Sequence, residues 1–100
     1  MTDNEILRIF KETEAIIEGH FLLSSGLHSN RYFQMARVLQ FPPLAQVLSA
    51  ELAKKYINTS INTVIGPALG GIVLSYVLAE QLGARAIFSE REKGVMTIRR

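Results

Sequence analysis

Residues 62–89 read NTVIGPALGGIVLSYVLAEQLGARAIFS, and the alternation of patterns within them sets the fold class. Thr63-Val64-Ile65 is a short apolar run of the kind a buried parallel strand shows, and it stops at Gly66-Pro67. A helix is predicted from about Gly70 to Gln81, apolar on most sides through Ile72, Val73, Leu74, Val77, Leu78 and Leu82, with Gly83 suited to its C-terminal stop. A helix that is apolar nearly all round is expected to be buried, here against a sheet. Residues 84–89 then read as a second strand. Strand, helix and strand joined by short loops are the signature of a right-handed parallel crossover, so the class is α/β.

Outward from that unit, Lys93-Gly94 separates Ile87–Glu92 from Val95–Arg99, two runs that can pair as a hairpin with glycine supplying a positive φ. Upstream, Pro42-Pro43 restarts the chain, and Leu44, Val47, Leu48, Leu52 and Tyr56 line one face of a helix predicted over 43–57. Thr2 and Glu5 have capping-box spacing, and apolar residues from Ile6 to Ile17 recur at roughly helical intervals up to Gly19, which predicts a helix over 3–18. Two strands, 21–24 and 29–37, are expected around the turn chemistry of Ser25-Gly26-Leu27-His28. The organisation is an N-terminal segment, 1–40, and an α/β part, 41–100, that ends in a basic hairpin over 86–100. One crossover yields only two parallel strands, whereas such sheets need several strands covered on both faces, so the chain is expected to stop in mid-fold.

Composition narrows the function classes. One hundred residues, 48% hydrophobic and 20% charged, suit one small folded domain rather than a disordered or fibrous chain. With no cysteine there is no disulfide, thiolate nucleophile or cysteine metal site. The net charge of +2 is too small to argue for nucleic acid. Its distribution is uneven: Asp3, Glu5, Glu12, Glu14 and Glu18 make the start acidic, while Arg91, Lys93, Arg99 and Arg100 make the end basic. No apolar run approaches the roughly 20 residues of a membrane span, and an acidic start is wrong for a leader peptide, so the cytoplasm is the expected compartment.

Three segments can carry chemistry. Gly66-Pro67-Ala68-Leu69-Gly70-Gly71-Ile72 turns from a strand into a helix through small residues, which exposes backbone N–H groups beside the positive end of the helix dipole and favours a phosphate. The same residues serve equally well as a tight turn and a close helix–strand contact. Neither a Walker loop nor a dinucleotide fingerprint is present. Residues 19–33 gather serines, a glycine and Tyr32 and Phe33 around one bend, which suits either a planar polar ligand or an ordinary surface hairpin. His20 and His28 flank that bend without a third ligand and read as surface or turn residues. The basic hairpin reads as a solvated strand pair or as a mobile lid over an anion.

Taken together, Phe-x-Leu-x-Ser-Gly in the first segment, Gly-Pro-Ala-x-x-Gly-Ile in the second and Ala86–Glu92 in the third resemble orotate phosphoribosyltransferase, a type I phosphoribosyltransferase, over nearly the whole chain. The resemblance implies a parallel sheet flanked by helices plus an N-terminal hood, here truncated after the first crossover and hairpin. It implies transfer of a phosphoribosyl group from phosphoribosyl pyrophosphate (PRPP) to orotate, giving orotidine monophosphate and pyrophosphate in pyrimidine synthesis. Mg²⁺ would be bound through PRPP, the partners would be small molecules, and the enzyme would be a homodimer.

By the same resemblance, Ser24, Ser25 and Gly26 take the hood position beside both substrates, and Tyr32 and Phe33 contact orotate. Ala68, Leu69, Gly70 and Gly71 receive pyrophosphate, with a non-proline cis peptide at Ala68-Leu69. Arg91 and Lys93 belong to a mobile catalytic loop that reaches the partner's site. Serine at 24 and glycine at 70 stand where many members carry lysine, and the segment that grips the ribose phosphate would follow Arg100. The chain alone is expected to be inactive. A purine-specific enzyme of the same fold, or a non-catalytic nucleotide-binding regulator on the scaffold, are the alternatives.

Overall fold

The computed structural model describes residues 1–100, which fall into two compact units, Met1–Phe41 and Pro42–Arg100. In the first, helix α1 (Asp3–Glu12) begins with the capping box: the Glu5 amide donates to Thr2 Oγ1 at 3.2 Å, and the Thr2 amide donates to the Glu5 carboxylate at 2.9 Å. The helix ends at Glu12, six residues earlier than the periodicity predicts. Glu14 adopts φ 59°, its amide donates to Lys11 O, and the Ala15 amide donates to Phe10 O. That is the Schellman arrangement, with a glutamate where glycine is usual. The apolar run Ala15-Ile16-Ile17 therefore opens a strand rather than prolonging the helix.

Strand β1 (Ile16–Leu22) pairs antiparallel with β2 (His28–Phe33), from Ile16 opposite Phe33 to Leu22 opposite His28. Three residues from Glu18 to Phe21 span two from Arg31 to Ser29, so β1 carries one extra residue, a bulge next to Gly19. The second strand stops at Phe33 instead of continuing to residue 37, and a short helix α2 (Ala36–Leu39) follows. Its Val38 is fully buried, as is Ala15, and Ile16 is nearly so; these three form the apolar centre of the unit.

In the second unit, helix α3 (Pro42–Ala53) passes into a 3₁₀ turn at Lys54–Tyr56, which together cover 42–56 against the predicted 43–57. Strand β3 (Thr63–Pro67), helix α4 (Ile72–Leu82) and strand β4 (Arg85–Glu92) form the crossover, with β3 and β4 parallel from Thr63 opposite Arg85 to Pro67 opposite Ser89. Gly83 ends α4 in the left-handed conformation, φ 66°. Strand β5 (Val95–Thr97) returns antiparallel on β4, giving sheet order β3-β4-β5.

Helix α4 packs on α3 and on both parallel strands through small side chains. Ser75 and Ala79 are its buried residues, and Ala45 and Ser49 are those of α3. The expectation of burial on most sides is corrected here: Tyr76 and Val73 are exposed, Ile72, Leu74, Val77, Leu78 and Leu82 are half-buried, and only the narrow small-residue face is fully covered. Small residues let backbones approach closely, and dispersion across such a face stands in for a thick layer of branched side chains.

Candidate functional site

The parallel strands of the second unit end together. Pro67 and Ser89 are the last paired residues, and the Ala68 amide extends the ladder by donating to Ser89 O at 2.6 Å. Beyond that rung one chain turns into the loop before α4 and the other runs on into the β4–β5 hairpin. Both segments thus leave the carboxyl ends of parallel strands, the position where open α/β sheets bind ligands.

In the loop, the Ala68-Leu69 peptide is cis, as the resemblance anticipates. The Gly71 amide donates to Pro67 O at 2.9 Å and the Ile72 amide to Leu69 O at 3.3 Å. With the Ala68 amide also engaged, the loop amides left without a backbone partner are those of Leu69 and Gly70, and Leu69 is 83% exposed. They precede an 11-residue helix whose N-terminal end carries about half a positive charge. Two free amides and a dipole at one exposed turn are an anion cradle. Of the four residues expected to receive pyrophosphate, these two keep their donors.

The hairpin turns at Lys93 (φ 52°) and Gly94 (φ 81°), between Glu92 and Val95, which pair. Positive φ at both central residues makes a type I′ turn, the twist that suits tight hairpins. Arg91 donates from Nη1 to Gly94 O at 3.0 Å, so its guanidinium braces the tip, while Lys93 projects from it. At the base, Arg99 Nε meets the Glu90 carboxylate at 2.7 Å and Arg100 Nη2 meets it at 3.2 Å. These two arginines, Arg99 first, hold the Glu90 carboxyl below the usual range. Arg100 also lies over the Phe88 ring, 5.8 Å from its centre. The sequence reading overlooked Glu90, although hairpin register from the Lys93-Gly94 turn places it opposite Thr97, two residues from Arg99.

In the first unit, the bend between β1 and β2 is closed by amide donation from Leu23 to Leu27 O at 2.8 Å and from Gly26 to Leu23 O at 2.9 Å. Gly26 sits at φ 88°, a conformation that excludes most side chains. Ser24, Ser25 and Gly26 are all exposed on this loop. Tyr32 and Phe33 are 42% and 55% exposed, so the aromatic pair is presented outward rather than consumed by a core; the Tyr32 ring leans on Phe21, centres 5.7 Å apart. His20 and His28, read from sequence as separate surface residues, lie in the strands and meet ring to ring, Nε2 to Nδ1 at 3.0 Å.

No protein-family model matches the chain. The chain is 55% identical over all 100 residues to the orotate phosphoribosyltransferase of Pelotomaculum thermopropionicum, of which it covers 53%. Among solved structures, the orotate phosphoribosyltransferase of Aeropyrum pernix superposes with a TM-score of 0.73 at 27% identity, over 93% of this chain and 56% of that one. The Leishmania donovani UMP synthase superposes with a TM-score of 0.80 at 17% identity, over all of this chain and 23% of that one, a likeness of fold alone. The chain spans about half the length of the curated relatives it matches.

Proposed function

We propose that this chain is the N-terminal half of an orotate phosphoribosyltransferase, which moves a phosphoribosyl group from PRPP to orotate. The observation that carries the reading is identity of 50–55% to proteins of that name, sustained along the entire chain. Shape alone does not select the base, because one fold hosts many functions. An alignment at that identity which takes in the hood segment supports orotate over a purine and an enzyme over a non-catalytic regulator.

In this reading each segment has a share of the work. The Leu69 and Gly70 amides and the α4 N-terminus take the pyrophosphate, accepting charge as the bond from ribose C1 to the pyrophosphate oxygen breaks. Ser24, Ser25 and Gly26 border the substrates, and Tyr32 and Phe33 offer ring faces to orotate, whose ring nitrogen supplies the electron pair for the new bond to C1. Lys93 and Arg91, at the tip of the hairpin, bring positive charge over the departing group, in a homodimer at the partner's site.

Mg²⁺ enters as the counter-ion that PRPP carries on its pyrophosphate. In this chain no three or more His, Asp or Glu side chains converge. The compartment proposed is the cytoplasm, and no helix is long and apolar enough to cross a membrane.

The test is turnover by the full-length protein with PRPP, Mg²⁺ and one base at a time. Orotate should release pyrophosphate and form orotidine monophosphate, with adenine and xanthine inert. Turnover of a purine base, or binding of nucleotide without turnover of orotate, overturns the reading.

A further inference from the structure

We propose that His20 and His28 form a chelating site for a borderline transition-metal dication, Zn²⁺, Ni²⁺ or Cu²⁺, at the root of the loop that joins β1 to β2. The proposal is independent of the reading given above. It rests on how the strands bring two imidazoles together. Without the extra residue next to Gly19, continuation of the Glu18–Arg31 register would place His20 opposite Ser29 and His28 opposite Phe21, on alternate faces of the ribbon. With the bulge, His28 stands opposite Leu22, two residues along from His20, and the diagonal spacing of a strand pair is within reach of long side chains.

The geometry is that of a bite rather than of a chance approach. His20 Nε2 and His28 Nδ1 are 3.0 Å apart, and the rings are inclined at 41°. Their centres are 4.9 Å apart, less than a head-on line through both nitrogens would give, so the ring axes bend off that line. An ion bound to both nitrogens at the usual 2.0–2.1 Å would see them at roughly 95°, between the right angle of a tetragonal site and the tetrahedral angle. Without a metal, one nitrogen must donate a proton to the other; a dication replaces that shared proton and engages both lone pairs. Both rings are exposed, so an ion enters directly from solvent and water completes its shell.

Imidazole selects Zn²⁺, Ni²⁺ and Cu²⁺ over Mg²⁺, which prefers oxygen. The site is therefore chemically separate from any Mg²⁺ that accompanies a phosphate substrate. The two rings stand at either end of residues 21–27, so a bound ion would clip shut the loop that carries Ser24, Ser25 and Gly26.

The experiment titrates the full-length protein with Zn²⁺ and with Ni²⁺ in excess Mg²⁺, by calorimetry, in wild type, His20→Gln and His28→Gln. Saturable binding whose affinity drops at least tenfold in either variant is expected. The ring-proton signals of both histidines should also shift together with added Zn²⁺ in the wild type, a readout that does not depend on how the variants fold. Absence of saturable binding, unchanged affinity in either variant, or a shift confined to one ring overturns the proposal.

Discussion

Gly66 and Ser75 stand so close that a β-carbon on Gly66 would lie 2.5 Å from the Ser75 hydroxyl oxygen and 2.8 Å from its Cβ. The Gly71 carbonyl would be equally near, at 2.5 Å. Strand β3 can therefore pass under the start of α4 only without a side chain at this point. Gly66→Ala should destabilise the second unit by about 1–3 kcal/mol, the usual cost of overpacking. Chemical denaturation of both proteins measures it; an unchanged midpoint would show that the helix can lift away freely.

The neighbouring glycines make a contrasting pair. A β-carbon on Gly71 would sit 2.5 Å from Pro67 Cδ, whereas one on Gly70 would meet nothing within 4 Å. Gly71→Ala should lower the melting temperature and, if the proposed function holds, raise the KM of the full-length protein for PRPP, since it displaces the loop. Gly70→Ala should leave the melting temperature unchanged.

At the end of α1, Glu14 occupies a left-handed position, which costs a residue with a β-carbon about 1–2 kcal/mol. Its carboxylate meets Arg37 at 3.4 Å on the surface, an exposed pair of the sort that contributes little. Glu14→Gly should stabilise the protein by about 1 kcal/mol, read as a raised melting temperature. A lower one would mean that the Arg37 contact outweighs the backbone.

The hairpin should loosen in acid. The Glu90 carboxyl is held below its ordinary value by Arg99 and then Arg100, so its contribution is complete above the unfolded carboxylate value of about 4.3 and fades as pH falls through the lower folded value. The protection factors of the Val95–Thr97 amides, exchange rates corrected for the intrinsic effect of pH, should fall in the wild type as pH drops below the unfolded carboxylate value. In Glu90→Gln the same amides should be less protected at neutral pH, with no further loss of protection in acid.

Lys93 combines a backbone demand with a charge. Lys93→Asn keeps a residue that tolerates positive φ and removes the cation, so the turn survives. Steady-state kinetics of the full-length protein should show kcat reduced about 100-fold with the fold intact, the scale of losing one transition-state donor. Wild-type kcat in that variant would overturn the catalytic role proposed for Lys93.

The sequence made the crossover legible because its periods change sharply at Gly66-Pro67 and at Gly83, where backbone conformation and residue type agree. The hairpin was equally plain, since Lys93-Gly94 is flanked by strand formers. The end of α1 was not, because the left-handed position holds Glu14 and the next apolar run fits both periods for a few residues. Helix α2 overlaps the end of the stretch read as strand, 29–37, and four residues are too few for a period to emerge. In the candidate site, the glycine loop could be read from composition, but which amides stay free depends on Pro67 O and Ser89 O, groups that only the folded backbone brings near. The meeting of His20 and His28 depends on a one-residue bulge, a shift of register that local pattern does not encode.

Strand β4 has β3 on one side only as far as Ser89; from Glu90 onward its one partner is β5. Mechanically this is a cantilever: a two-stranded ribbon clamped at one rung and loaded at its tip by Arg91 and Lys93. Such a beam flexes at its root rather than along its length, so the swing of the tip is set at the Ser89–Glu90 junction. The same rung holds the Ala68 amide, and a deflection of the ribbon therefore pulls on the turn that opens α4.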